Sequence, residues 1–600
     1  MMKFLPSPKK SDNLVILFGL CFIVFGWLAL TLTLGNIFFP WALACGAFTL
    51  FSLALFVGIK LLSRSSIDFR IAFFLSLCIA FLIGLYTVPT LFSGRDQGSI
   101  SEAAYRLTQN GQLTFSTDAS RAFFALHEKG TALNFPGFAY TETGELITQF
   151  PLAYTSWLAS FVSLFGMSGF ALANSILFFL SLLILYALLR IFVHPFYAFS
   201  GLILMIGSFL PLWFARVTLS ENLALFLFLF LTFSLILFLR EGKFISYVGV
   251  LFAGGLFAFT RIEGFAFLFF TLAILFCSKY ARHIWITYPW KSILLPGLFF
   301  AIILWRDLIV NLPYYRIIGK ALVKFLRQFT DGHIVNTLAP VSAPVVLESV
   351  FFWYGLLILF LLGLFSLILL IKKRYFLILL PTLIAFPTFI YLIDPNISSD
   401  HPWMLRRYLF SVFPTLLFSA IVGLALLFAK KEQFPLERPH GKRLFFVSII
   451  LIGLFTLQYP AWSHSLFFAE NRGLLEQTMT FSQQFSGTDL VLIDRGVTGD
   501  GFSMITGPAQ YLSGKNMVYF FNPYDLTLLD TTLFSHIYLL TPDDTLSRYR
   551  DVFGERMTFL HPVIFSTEKF QSNISKNSFS SFGLPEKSLI ETHNSLFQIY

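Results

Sequence analysis

Residues 219–239 read LSENLALFLFLFLTFSLILFL. From Leu223 to Leu239 the run holds no charged residue, and Arg240 closes it. An apolar stretch of this length suits a lipid-spanning helix, which needs about 20 residues to cross a hydrocarbon core of ~30 Å. Similar segments lie on both sides of it, near 14–34, 38–60, 71–92, 167–193, 197–214, 244–260, 262–278, 292–312, 347–371, 375–393, 407–429 and 444–460. The expected fold class is therefore an α-helical polytopic membrane protein with about 13 transmembrane helices. Composition agrees. The 600 residues are 56% hydrophobic and 12% charged, with mean hydropathy +0.75. A soluble domain carries roughly 25% charged residues. The first apolar run is long and closely followed by a second, so it does not read as a cleavable signal peptide.

Charge placement sets the expected orientation. With the N-terminus inside, the inside connections collect basic residues, including Lys9, Lys10, Lys60, Arg64, Arg240, Lys243, Lys372, Lys373, Arg374, Lys442 and Arg443. The short outside connections hold Arg216, Arg261, Arg406 and Arg407. Basic residues favour the cytoplasmic side, so topology accounts for most of the net charge of +10. No basic face with interleaved aromatic residues suggests nucleic-acid binding. Cys21, Cys45, Cys78 and Cys277 sit in apolar runs without metal or redox spacing and read as small apolar side chains.

Two outside loops are expected, at 93–150 and 313–345. The first has a helical pattern over Ser99–Asn110. In the second, Tyr315–Phe329 alternates basic and apolar residues in the manner of an interfacial helix. Residues 151–166 are apolar but too short for an independent span, so an interfacial position is expected. From about 462 the apolar runs shrink to strand length at Asp489–Asp494, Asn516–Phe521 and His536–Thr541, with a helix expected over Thr545–Phe553. This alternation predicts a small C-terminal α/β extracytoplasmic domain over 462–600, after a transmembrane domain over 1–461. The glycine-rich Gly496–Gly507 reads as an ordinary loop.

In this orientation the unusual polar clusters share one side. They are Gly94-Arg95-Asp96-Gln97-Gly98, Ala215-Arg216-Val217-Thr218-Leu219-Ser220-Glu221-Asn222, Thr260-Arg261-Ile262-Glu263-Gly264, and Asp400-His401-Pro402-Trp403-Met404-Leu405-Arg406-Arg407-Tyr408. Ionisable groups at span ends are functional candidates. A carboxylate there can take a proton from an attacking hydroxyl, and arginines can hold a phosphate by paired hydrogen bonds. The competing reading is local ion pairing, Arg216 with Glu221 and Arg261 with Glu263, with Arg406 and Arg407 anchored on lipid phosphates. His401 alone reads as an exposed loop residue, and no metal site is evident. Asn396-Ile397-Ser398 and Asn573-Ile574-Ser575 match the N-glycosylation pattern, which also arises by chance.

These clusters resemble the GT-C class of membrane glycosyltransferases, most closely the protein O-mannosyltransferase and aminoarabinose transferase families and related bacterial enzymes. The matching positions are Asp96, then Ala104, Leu107 and Gly111; Gly144 with Phe150-Pro151-Leu152, then Ala159 and Phe165-Gly166; Arg216 with Glu221; and Arg407-Tyr408 with Pro414. The likeness covers about 70–270 and 400–415. Gln97 stands where many relatives carry a second acid, and the oligosaccharyltransferase W-W-D-Y-G motif is missing.

The resemblance implies an integral inner-membrane transferase with its site and C-terminal domain outside the cytoplasm. It would move a sugar, with inversion, from a polyprenyl-phosphate donor to a hydroxyl of a lipid, glycan or protein acceptor. Asp96 would be the catalytic residue. Arg95, Arg216, Glu221, Arg261, Glu263, Arg406, Arg407 and Tyr408 would bind the donor phosphate and the sugar. No cofactor is required, since arginines can offset the leaving charge. Three alternatives remain open: a flippase of lipid-linked sugars, a glycan ligase or polymerase using a diphosphate-linked donor, and a scaffold presenting the C-terminal domain. A flippase would need charges along a midplane path, whereas these spans are nearly free of charge.

Overall fold

The structure, a computed structural model, describes residues 10–127, 130–330, 347–393, 402–430, 434–571 and 583–600. Asp400, His401 and both N-glycosylation triplets lie outside the described residues.

Seven helices are long and apolar enough to cross a membrane: Ser11–Leu34, Pro40–Ser63, Ile67–Leu85, Ser168–Phe192, Ser220–Glu241, Trp290–Val310 and Lys442–Ser465. Two bent pairs raise the number to nine among the described residues: Glu263–Cys277 with Lys279–Thr287 at 84°, and Trp403–Leu409 with Val412–Phe428 at 56°. The protein is thus an integral membrane protein. Ser220–Glu241, the stretch that announces the fold, is the centre of the bundle, its apolar window 100% buried. Trp290–Val310, at 11%, lies on the periphery and presents Trp305 and Ile302 outward.

Several apolar segments fold as shorter or broken helices. Residues 197–214 divide into Pro195–Ile206 and Phe209–Phe214. Residues 347–371 break at Gly355, whose φ of +68° and close approach to Leu457 O (2.3 Å from an added Cβ) suit glycine. Residues 375–393 tighten into a 3₁₀ turn at Phe386–Leu392, where Pro387 removes a helix donor. The helix expected over 71–92 runs Ile67–Leu85 and then continues as extended chain to Phe92. Residues 152–162 are buried on all sides, packed on Ser11–Leu34, Asp96–Asn110 and Ser168–Phe192, so this helix lies within the protein. Its apolar residues surround the axis, and a helix without a polar face is buried.

The loop over 93–150 is folded. Helices Asp96–Asn110 and Asp118–His127 lead into an antiparallel sheet of β1 (Gly130–Thr131), β2 (Phe138–Tyr140) and β3 (Leu146–Thr148). The C-terminal region forms a second sheet. Its strands are β4 (Leu490–Ile493), β5 (Asn516–Tyr519), β6 (Ile537–Pro542), β7 (Met557–Gln571) and β8 (Glu586–Ile599), in the order β5-β4-β6-β8-β7. β4, β5 and β6 are parallel, and β7–β8 is a long antiparallel hairpin. Leu474–Ser482, Thr506–Ser513 and Leu546–Phe553 are its longer helices.

The 93–150 region and the C-terminal sheet share a core. Phe115, Phe123, Phe135, Phe138 and Tyr140 pack with Leu490, Leu492, Val518, Phe520 and Tyr549. Polar ties reinforce it: Arg106 Nη2 donates to Gln510 Oε1 (2.7 Å) and Asn134 Nδ2 to Tyr519 O (2.8 Å).

Candidate functional site

Asp96 opens the helix Asp96–Asn110, a position where a carboxylate meets the positive end of the helix dipole. Two glycines hold this turn against its neighbours. A Cβ on Gly94 would lie 2.2 Å from Phe502 O, and one on Gly98 would lie 1.6 Å from Phe92 O. Thr218 then joins the second polar cluster to the first. Its hydroxyl lies 2.7 Å from the hydroxyls of Thr90 and Ser101 and donates to Gln97 O at 3.0 Å.

All four clusters meet at one pocket of 160 Å³. Asp96, Glu221, Arg261, Glu263, Arg406 and Arg407 line it, with Tyr314 and Ile318 from the helix Leu312–Thr330. Arg406 Nη1 donates to Asp96 Oδ2 at 2.5 Å. Arg261 grips Glu263 with both ends of its fork, at 3.0 and 3.2 Å, and reaches Ser220 Oγ at 3.2 Å. Glu221 Oε1 lies 2.7 Å from Arg261 Nη1, out of line for a hydrogen bond. Arg407 Nη1 donates to Glu263 Oε1 at 3.4 Å.

Three arginines face three carboxylates, so these six side chains balance in charge. Exposure separates them. The side chain of Asp96 is 38% exposed and that of Arg407 23%, whereas Glu221 is at 1%. Arg406 Nε and Arg407 Nε are buried and make no hydrogen bond among the described residues. Asp96 and Arg407 are therefore open to a ligand, while Arg406, at 10%, lies as deep as Arg261 and Glu263 and joins the pocket through Asp96.

The remaining candidates lie elsewhere. Arg216 donates to Ser465 O (2.8 Å), Leu466 O (3.2 Å) and Phe468 O (3.0 Å), and burial lowers its pKa to about 10. Arg95 stands over Trp403 at 4.8 Å and Phe502 at 4.3 Å. Both arginines line a larger cavity of 380 Å³ beside the C-terminal sheet. Tyr408 is fully buried and donates to Tyr391 O at 2.6 Å. Tyr391 in turn donates to Glu263 Oε1 at 2.6 Å, so Tyr408 reaches the pocket through Tyr391.

Sequence reading did not select Tyr391, Tyr314, Ser220, Glu470, Lys569 or Trp403. Trp403 stood in view beside Arg406, and Ser220 beside Glu221. The others are isolated polar residues in apolar or strand-like surroundings, with no spacing to mark them. Among the described residues no three His, Cys, Asp or Glu side chains come together as a metal site would need.

The chain matches no protein-family model and no curated protein. Solved structures resemble it in chain path. Apo ArnT from Cupriavidus metallidurans aligns at 12% identity and TM-score 0.47, over 87% of this chain and 97% of that one. ArnT from the same organism bound to undecaprenyl phosphate aligns at 12% and 0.43, over 81% and 95%. The apo Archaeoglobus fulgidus oligosaccharyltransferase aligns at 13% and 0.48, over 87% and 76%. At these identities and scores the likeness carries no argument about chemistry.

Proposed function

We propose that the protein is a membrane glycosyltransferase that moves a sugar from a polyprenyl-phosphate donor to an acceptor hydroxyl on the extracytoplasmic side. The observation that carries the reading is the pairing, in one pocket, of a half-open carboxylate with arginines that have donors to spare. Asp96 takes the proton of the acceptor hydroxyl, whose oxygen attacks the anomeric carbon. The bond from that carbon to the phosphate oxygen breaks on the opposite face, and the configuration inverts. The electron pair leaves with the phosphate, and Arg407 and Arg406 stabilise the charge that develops there. Arg406 also bonds Asp96, so it orients the base and links it to the leaving group. Glu263 and Glu221 hold Arg261, and through it the floor of the pocket, in place. The motif order over 70–270 and 400–415 supports the same reading.

The test is release of free polyprenyl phosphate from a panel of polyprenyl-phosphate sugars by the protein reconstituted in lipid, with membrane extract as the source of acceptors. Asp96→Asn should slow release by about 10²–10⁴-fold, the range of a lost general base. Arg407→Ala should weaken donor binding about 10- to 100-fold, the worth of a hydrogen bond to a charged group. Full turnover in Asp96→Asn would remove the base assignment. Movement of labelled lipid across the bilayer without release would favour a flippase.

A further inference from the structure

The 380 Å³ cavity lies beside the pocket just described but is built differently. Its volume is within the ~300–1,000 Å³ typical of small-molecule sites. Two aromatic surfaces line it. Trp213 and Phe570 meet at 4.8 Å, with Phe468 4.3 Å from Phe570. Phe502 and Trp403 form the other, each beneath the Arg95 guanidinium. The lining also holds Glu470, Asn471, Asp500 and Lys569.

The charges argue against a phosphate here. Arg216 spends its donors on three backbone carbonyls. Lys569 Nζ is held by Asp500 Oδ2 and Thr498 O, each at 2.8 Å. Asp500 in turn is spent on Lys569, and Glu470 stands in the field of Arg95, so the cations of the lining already face acids or carbonyls. The same charged groups make it a poor place for an acyl or prenyl tail. Flat aromatic faces beside carboxylate and amide oxygens suit a polyol ring, which offers C–H faces to the rings and hydroxyls to the acceptors.

Its location gives the cavity a role. Arg95 and Gln97 line it, while Asp96 between them lines the smaller pocket. Trp403 carries both Arg95, from the cavity, and Arg406, the partner of Asp96, over its ring at 4.8 and 4.3 Å. We propose that this cavity is a glycan subsite that holds a sugar ring of the acceptor against Phe502 and Phe570, with Glu470 and Asn471 accepting hydrogen bonds from its hydroxyls. Residues of the C-terminal region thereby select the acceptor and deliver its hydroxyl across the Arg95–Gln97 turn. Occupancy by a sugar follows from the cavity alone, while the acceptor role rests on the transferase reading.

The full-length protein in lipid nanodiscs tests this. Tryptophan fluorescence, to which Trp213 and Trp403 contribute, would be titrated with methyl glucoside, methyl mannoside, methyl galactoside and their disaccharides. Polyprenyl phosphate and inorganic phosphate would be run in parallel. Saturable change with at least one saccharide is expected. It should weaken about tenfold in Phe502→Ala, since an aromatic contact is worth up to ~1.5 kcal/mol, and also in Glu470→Gln. The Phe502 side chain is substantially exposed, so its removal should leave folding intact. No response to any saccharide, or a response unchanged in both variants, would overturn the subsite. Saccharide binding without any binding or turnover of a lipid-phosphate donor would keep the subsite and remove the transferase reading. Donor turnover without saccharide binding would do the reverse.

Discussion

Arg261 is 8% exposed and is the cation nearest to two buried carboxylates, at 2.7 Å from Glu221 and 3.0 Å from Glu263. Removing one member of a buried ion cluster leaves its partners desolvated and uncompensated, typically at a cost of about 3–5 kcal/mol. Arg261→Ala should therefore lower the thermal unfolding midpoint in detergent markedly. Arg407→Ala, at the open edge, should barely move it while losing donor affinity. Arg261→Lys should recover only part of the loss, because an ammonium cannot reproduce the fork on Glu263. Equal unfolding midpoints for Arg261→Ala and wild type would mean that the cluster contributes no net stability. Sequence reading picked out the four outside arginines because they break the charge rule, and each has its own reason. Arg216 clamps backbone, Arg261 binds acids, Arg406 holds Asp96 and Arg407 faces the opening. The pairing of Arg261 with Glu263 was legible two residues apart, whereas the partner of Arg406 was hidden, because Arg406 and Asp96 lie 310 residues apart and only the fold joins them.

The decisive element is the helix Asp96–Asn110. Its first turn is wedged between Phe92 and Phe502, and Gly94 and Gly98 flank Asp96 to allow it. A Cβ at 98 would overlap the Phe92 carbonyl, which is backbone and cannot swing aside. Gly98→Ala should therefore displace Asp96 and reduce sugar transfer at least as severely as a direct change in the pocket. A misplacement of about 1 Å can cost 10²-fold. Gly297→Ala is the control. That helical glycine has nothing within 4 Å of an added Cβ, and alanine there should leave transfer unchanged and favour the helix by about 0.5–1 kcal/mol. Comparable transfer in the two variants would remove the wedge argument. At this scale the sequence was clearest where one period dominated. The apolar segments reappear as helices, and the three parallel strands lie where short apolar runs stand. The β7–β8 hairpin was not legible. β7 carries polar residues throughout and Pro562 in its middle, which reads as a break. As the edge strand of the sheet, β7 tolerates the missing donor.

Taken whole, the chain divides differently in space than along its length. The composition change near 462 separates membrane from sheet. Yet the aromatic residues of 115–140 complete the core of that sheet, a pairing that no periodicity in either segment could announce. The 380 Å³ cavity lies along this junction and places Glu470, just beyond the last long helix, in low-dielectric surroundings. Burial raises its pKa above the usual 4.5, only partly opposed by Arg95 and the Phe570 N–H. The folded state then holds a proton that the unfolded state has released, over the pH interval between 4.5 and the raised value. Stability must fall as pH rises through that interval. Lys569 is shifted the other way, below its usual 10.5, and acts only at higher pH. Unfolding midpoints measured from pH 4 to pH 7 should thus decline in wild type by more than in Glu470→Gln. The two proteins should agree at the acid end, and the variant should be the more stable near neutrality. Parallel curves would mean that Glu470 is solvated in the folded protein, and with it that the junction is open to bulk water.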